Sequence, residues 1–129
     1  MRGRPDLAAH EQIGVALIIE SKYGSALPVF RDPDQASLND LRTLVASTTD
    51  AAKKGKVPVE MLSGATTTVF DLTTYSMSSA TPLLFPNQVT SVTIGYDSES
   101  TKNISLTIDL NLCDFYDGAL LLDALVASL

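Results

Sequence analysis

Near the C-terminus, residues 112–119 bring a thiol and carboxylates together where an alternating, strand-like segment meets an apolar, helix-like one. A junction of this kind can hold side chains rigidly at the edge of a sheet. Asp117 follows Cys113 by four positions. An aspartate at that distance from a basic group could orient it, as the third member of a catalytic triad does. The only histidine of the chain is His10, so this segment has a carboxylate without a basic group to orient.

Cys113 is a poor substitute for a histidine. A thiol with an unperturbed pKa of about 8.5 is mostly protonated at neutral pH. No Lys or Arg adjoins Cys113, and Asp114 and Asp117 would oppose thiolate formation. We therefore expect a buried, inert cysteine, and we expect Asp117 to be the N-cap of the helix that follows. The alternative is an enzyme that uses Cys113 as its nucleophile.

The composition of the chain argues against several classes of protein function. The chain has 129 residues, a net charge of −6, nine Lys and Arg residues and a single cysteine. The acidic balance argues against a nucleic-acid-binding protein, and the apolar runs are too short to cross a bilayer. A lone cysteine excludes an internal disulfide and offers no metal-site spacing. We expect a ragged segment over residues 1–12 and one domain over residues 13–129, with neither cofactor nor metal.

Periodicity predicts an α/β sandwich around a mixed sheet, from the element order β-β-α-β-β-β-α. Ser37 and Asp40 approximate a capping box for the first helix, and Gly55 provides its left-handed stop. The apolar face predicted for this helix comprises Leu38, Leu41, Leu44, Val45 and Thr48. The other predicted elements are strands over 13–19, 26–30, 65–70, 89–96 and 104–112, a short helix between Pro58 and Gly64, a polar loop over 71–81, and a final helix over 118–129.

Three ordered stretches carry a resemblance to a known family. Residues 24–38 read GSALPVFRDPDQASL, residues 55–72 read GKVPVEMLSGATTTVFDL, and residues 81–89 read TPLLFPNQV. Together they resemble the catalytic domain of the 2-oxoacid dehydrogenase acyltransferases, the dihydrolipoamide acyltransferases of the pyruvate dehydrogenase complex and its relatives. The resemblance implies a chloramphenicol-acetyltransferase-like fold, here truncated at its N-terminus because the family domain is longer there.

The same resemblance implies that reacting groups are missing. When the family motif is aligned without a gap from Asp117, the family histidine that takes the thiol proton falls on Cys113. When the motif is aligned on Cys113 and Asp114 instead, that histidine is deleted. The family serine that steadies the tetrahedral oxyanion falls on Phe70, and Asp117 alone survives. The third stretch matches a family motif that reads Thr-Pro-Ile-Ile-Asn-Pro-Pro-Gln. Lys53, Lys54 and Lys56 could hold an anionic cofactor, although a solvated helix end is the simpler interpretation.

The resemblance is strongest to the non-catalytic members of the family. It implies a homotrimer in the mitochondrial matrix that docks to the dihydrolipoamide acetyltransferase core. Segments upstream of this chain would recruit dihydrolipoamide dehydrogenase. The alternatives are an active acyltransferase with an atypical site, including one completed by a histidine from another chain, and a small-molecule-binding module that kept the CoA channel without the chemistry.

Overall fold

The computed structural model describes residues 12–129, which form two helices and seven strands. The strands are β1 (Gly14–Leu17), β2 (Ile19–Ser21), β3 (Gly24–Ala26), β4 (Val29–Arg31), β5 (Thr67–Asp71), β6 (Thr90–Tyr96) and β7 (Lys102–Ile108). The helices are α1 (Leu38–Lys53) and α2 (Phe115–Ala127). Short 3₁₀ turns lie at Pro33–Gln35, Val59–Met61 and Thr73–Tyr75. The predicted alternation of helices and strands is confirmed.

Five of the strands form one mixed sheet in the order β4-β1-β5-β6-β7. β5 runs parallel to both β1 and β6, whereas β4 and β7 are antiparallel to their neighbours. β2 and β3 form a separate two-stranded ribbon. β4 begins just after Pro28 and lies at an edge of the sheet, as expected, because proline cannot donate to a central ladder.

Helix α1 begins and ends where the sequence predicts. The Ser37 side chain accepts a hydrogen bond from the Asp40 amide at 3.1 Å, and Gly55 has a φ of 71° just past the last turn. Its predicted apolar face is only partly correct. Thr48 is buried, whereas Leu38 is 63% exposed and Leu44 is also exposed. The reason is that α1 packs mainly against the narrow strand β2, which covers only part of the helical face.

Three predicted strands are clearly shorter in the structure. The segment predicted as one strand over 26–30 is divided between β3, which ends at Ala26, and β4, which begins at Val29. The apolar run over 13–19 breaks after Leu17 into β1 and β2. The alternating run over 104–112 stops at Ile108, and the residues after it form a turn in which the Asp109 carboxylate accepts from the Asn111 amide at 2.9 Å. Leu110 is consequently 66% exposed. Local hydrogen bonding by an aspartate competes with the strand ladder and outweighs the continuing alternation.

The two faces of the sheet differ in composition and cover. One face has small side chains at its centre that are fully buried, such as Thr68, Ser91 and Thr93. The loop over residues 76–88 crosses this face, and the backbone amide of Tyr96 donates to the Met77 carbonyl at 2.7 Å. The opposite face is aliphatic and only half-buried. Helix α2 packs on it against β7.

Candidate functional site

Helix α2 begins with a complete capping box. The Asp114 side chain accepts from the Asp117 amide at 2.9 Å, and the Asp117 side chain accepts from the Asp114 amide at 3.2 Å. Asp114 is therefore the N-cap and Asp117 occupies the third helical position. The prediction that Asp117 is the N-cap was wrong by one turn, because both residues are aspartates and either can cap. The helix consequently spans residues 115–127 instead of the predicted 118–129.

Cys113 lies in the turn before this helix, where it is 9% exposed. Its amide and its Sγ both donate to the Asp109 carbonyl, at 3.0 and 3.6 Å respectively. Burial raises the pKa of the Cys113 thiol, and the Asp117 carboxylate raises this pKa further. Both effects disfavour the thiolate, the form that acts as a nucleophile. The surroundings of Cys113 are those of a protonated, unreactive thiol.

Phe70 lies near the end of β5 and packs against a second aromatic side chain. Its ring stacks on that of Phe85, with 6.4 Å between centroids and 3° between planes. Phe85 belongs to the loop that crosses the buried face of the sheet. Just after Phe70, the Asp71 carboxylate accepts from the Thr73 amide and hydroxyl, at 3.0 and 2.6 Å. The predicted polar loop over 71–81 therefore begins with a hydrogen-bonded 3₁₀ turn.

The structure does not bring Cys113 and Phe70 together. The sheet register places Phe70 level with Thr93 on β6, and Thr93 level with Ser105 on β7. From Ser105, β7 continues away from the level of Phe70 to Ile108, and only then does the chain turn toward Cys113. Neither cavity described below is lined by both residues. Within one chain, the two positions singled out by the sequence do not form a common site.

Two cavities flank the aromatic stack. The larger, about 990 Å³, is lined by Phe70 and by residues of β1, β2, α1 and the Leu72–Met77 segment, most of which are apolar. Lys53 also borders it, while Lys54 pairs with Asp50 at 3.0 Å on the exposed surface. The smaller, about 430 Å³, lies between Val29, the loop over 62–65 and residues 85–88.

Gln88 is a site residue that sequence reasoning missed. It lines the smaller cavity, and its Oε1 accepts from the Thr68 hydroxyl at 2.6 Å. The only signal was its place in the TPLLFPNQV stretch, where no chemistry was assigned to it. Over residues 12–129 there is no cluster of three or more side chains suited to hold a metal ion. Within that same range no helix has the length and apolarity to span a membrane.

Sequence comparison identifies relatives that are named as acyltransferases. Residues 4–109 match the family model of the 2-oxoacid dehydrogenases acyltransferase (catalytic domain). The chain is 27% identical over 128 residues to the dihydrolipoyllysine-residue acetyltransferase component of the acetoin cleaving system of Bacillus subtilis, covering 90% of this chain and 32% of that protein. It is 28% identical over 83 residues to the succinyltransferase component of the 2-oxoglutarate dehydrogenase complex of Cupriavidus necator, covering 64% of this chain and 20% of that protein. The chain thus spans about a third or less of these two relatives.

Solved structures share the fold. Azotobacter vinelandii dihydrolipoamide acetyltransferase, studied for the role of a serine, a histidine and an asparagine in its catalytic mechanism, superposes with a TM-score of 0.82 at 20% identity over 90% of this chain and 53% of that one. The cubic core of the pyruvate dehydrogenase multienzyme complex gives 0.75 at 19% identity, over 85% and 50%. A truncated catalytic core from Thermoplasma acidophilum gives 0.82 at 17% identity, over 92% and 57%.

These superpositions confirm the predicted α/β class and the acyltransferase-core fold, and they show that the chain spans about half the length of the solved domains. The family match covers most of the residues and includes the three motif stretches. The chain belongs to the family of 2-oxoacid dehydrogenase acyltransferase catalytic domains.

Proposed function

We propose that this chain is a non-catalytic member of its family, of the kind called protein X, serving as a structural part of a 2-oxoacid dehydrogenase complex core. The observation that carries the proposal is the stack of Phe70 on Phe85. In the resemblance, Phe70 replaces the oxyanion serine and Phe85 replaces the asparagine of the Thr-Pro-Ile-Ile-Asn-Pro-Pro-Gln motif. Two positions that are polar in the family are thus occupied here by aromatic rings in contact with each other.

Phe70 and Cys113 each stand where the family has a catalytic side chain, and each replacement removes a different catalytic contribution. A phenyl ring has no hydrogen-bond donor for an oxyanion, and loss of one such donor typically lowers the rate by about 10² to 10³. The protonated, buried thiol of Cys113 cannot act as a general base, and loss of a general base lowers the rate by about 10² to 10⁴. The two losses together leave little acyl transfer. The fold-forming motifs are retained, which favours a structural role.

An assembly role is supported by the surface of helix α2. Leu120, Leu121 and Val126 are all about half exposed, and exposed apolar side chains grouped on one helix suit a protein contact. One solved structure of the same fold is the cubic core of the pyruvate dehydrogenase multienzyme complex. We infer a homotrimer that docks to a dihydrolipoamide acetyltransferase core. Recruitment of dihydrolipoamide dehydrogenase through segments outside this chain, and a mitochondrial matrix location, belong to the same proposal.

The catalytic half of the proposal is tested by acetyl transfer from acetyl-CoA to dihydrolipoamide. We expect no turnover from the natural chain or from the Cys113→Ala control. Measurable turnover by the natural chain that is lost in Cys113→Ala would contradict the proposal and would support an atypical enzyme. The triple variant Cys113→His, Phe70→Ser and Phe85→Asn asks whether the missing groups alone account for the inactivity, because it reinstates all three family side chains.

The assembly half is tested by sedimentation of the chain alone and after mixing with a dihydrolipoamide acetyltransferase core. We expect a trimer alone and co-sedimentation with the core. A matched pair of variants separates a specific contact from general stickiness. Leu121→Asp alters the exposed face of α2, whereas Leu83→Asp makes the same change at a leucine that is exposed elsewhere. A strict monomer that ignores the core would refute this role.

A further inference from the structure

We propose that a basic patch at the C-terminal end of helix α1, formed by Lys22, Tyr23, Lys54 and Lys56, docks a short acidic segment of a partner protein. All four residues are exposed. The patch shares no residue with helix α2 or with either cavity. The inference therefore goes beyond the proposed structural role and stands whether or not the domain catalyses acyl transfer.

Positive charge is concentrated in this part of the chain. Four of the five lysines lie within residues 20–23 and 50–56, together with two carboxylates, Glu20 and Asp50. The remaining residues carry five basic and thirteen acidic side chains. A basic surface on an otherwise acidic chain attracts an anionic partner locally and orients it during encounter.

Tyr23 brings the two lysine-bearing segments together. Its ring lies against Gly55, where an added Cβ would come within 3.2 Å of two ring carbons. Lys22 Nζ lies 5.1 Å from the centre of the same ring, and Gly55 stands between Lys54 and Lys56 in the sequence. The ring is also 64% exposed. A partner can therefore contact an aromatic side chain and neighbouring ammonium groups at once.

The lysine side chains are not needed to end helix α1. The Lys56 amide donates to the Ala51 carbonyl at 2.8 Å, and the Gly55 amide donates to the Ala52 carbonyl at 3.0 Å. These two backbone bonds form a Schellman motif, which satisfies carbonyl groups that a lysine side chain could otherwise cap. The ammonium groups at this helix end are thus available to a partner.

The patch also keeps positive charge that the fold does not neutralise. Among residues 12–129, Lys22 and Lys56 have no carboxylate partner, whereas Lys54 pairs with Asp50 at 3.0 Å. That pair is exposed on both sides, so it contributes little to stability and can be exchanged for a partner's carboxylate. Glu20, the other carboxylate of the two segments, accepts a hydrogen bond from the Ser25 hydroxyl at 2.7 Å.

The residue types favour carboxylates over phosphates. Residues 20–23 and 50–56 contain no arginine, the side chain whose planar fork binds phosphate oxygens in pairs. The net charge of −6 would repel a long polyanion such as a nucleic acid, which extends beyond the patch. A short run of aspartate and glutamate contacts the patch alone. An aromatic residue within that run would pack on the exposed ring of Tyr23.

A fluorescent peptide of about nine residues, built from aspartate and glutamate around one phenylalanine, is a suitable probe. We expect it to bind the natural chain with a dissociation constant on the order of 10–100 μM at about 0.05 M salt. Affinity should fall at least about tenfold at about 0.5 M salt, because salt screens exposed charges. A peptide with asparagine and glutamine in place of the acids should not bind. Equal anisotropy changes with both peptides, or none with the acidic one, would overturn the proposal.

The decisive variant combines Lys22→Glu with Lys56→Glu, and it should lower peptide affinity at least about tenfold. The matched control combines Arg42→Glu with Lys102→Glu, which makes the same change in net charge at two other exposed positions. Lys102 is well matched to Lys22, because its Nζ also lies over a tyrosine ring, that of Tyr96, at 5.9 Å. The control should lower affinity less than about threefold. Equal losses in the two double variants would contradict a local patch.

Other occupants of the patch give different results. Displacement of the labelled peptide by a single-stranded oligonucleotide or by coenzyme A, at lower concentration than by unlabelled peptide, would assign the patch to phosphate groups. A lower sedimenting mass for the variant with Lys22→Glu and Lys56→Glu than for the natural chain would assign it to a second copy of this chain. Either result would overturn the proposal.

Discussion

The stack of Phe70 on Phe85 predicts an energetic coupling that a double-mutant cycle can measure. Phe70 is half-buried and Phe85 is about one-third exposed, so each change to Leu retains most of the apolar burial and removes mainly the ring contact. An aromatic pair with centroids 6.4 Å apart lies in the range where stacking contributes about 0.5–1.5 kcal/mol beyond burial. The coupling free energy between Phe70→Leu and Phe85→Leu should therefore be about 1 kcal/mol.

Urea unfolding of the natural chain, both single variants and the double variant gives this coupling. With a denaturant slope of about 1.5 kcal/mol/M, 1 kcal/mol corresponds to about 0.7 M in the midpoint. A second cycle that pairs Phe85→Leu with Tyr116→Leu provides the control, because Tyr116 is an exposed residue on helix α2; that pair should be additive within about 0.3 kcal/mol. If the free-energy changes of Phe70→Leu and Phe85→Leu are equally additive, the two rings do not stabilise each other. The stack would then no longer support the proposal that this chain is non-catalytic.

Four further predictions concern three single positions. Iodoacetamide should label Cys113 at least about tenfold more slowly than a free thiol at pH 7.5, with full reactivity in urea; fast labelling of the folded chain would instead indicate a reactive nucleophile. The pKa of Cys113 is raised in the folded state, so the protonated thiol contributes to the free energy of unfolding. This contribution is complete below the unfolded pKa of about 8.5 and is lost as pH rises through the folded pKa. A pH series of urea midpoints can check this loss. Gly95→Ala should destabilise the fold by about 2–4 kcal/mol, because an added Cβ would overlap the Ser78 carbonyl oxygen; a thermal midpoint within 2 °C or so of the natural chain would show that the crossing loop moves easily. Ser91→Ala should leave stability unchanged or raise it by up to about 1 kcal/mol, since Ser91 Oγ is buried without a partner in residues 12–129; a loss of more than about 1 kcal/mol would mean that the hydroxyl is bonded.

Local signals in the sequence were sufficient for most of the fold. Ser37 caps α1 as predicted, because an N-cap depends on the chemistry of a few adjacent residues. Pro28 correctly indicated an edge strand for a similar reason. The errors arose where two local signals compete. Asp114 and Asp117 are both able to cap α2, and the turn at Asp109 ends β7 although the alternation of apolar residues continues.

The candidate site was less predictable, because its contacts join distant parts of the chain. The ring of Phe70 meets Phe85, and the Thr68 hydroxyl meets Gln88 across 20 positions. Nothing in the local pattern of either residue indicates these contacts, which depend on how the loop over 76–88 crosses the sheet. The resemblance to a family drew attention to Phe70 and Cys113, but it could not show that they lie apart within one chain.

The parallel pairing of β1 with β5 has a consequence for how the chain folds. Gly14 and Thr66 exchange backbone and side-chain hydrogen bonds although 52 positions separate them, whereas β6 and β7 meet across a short turn. The β6–β7 hairpin can form within microseconds, but the remote pairing must first overcome the entropy of closing a long loop. Acquisition of the complete sheet should therefore take milliseconds to seconds, the time scale of chains dominated by non-local contacts. During that interval β5 and β6 have unpaired edges, so refolding yield should fall as protein concentration rises.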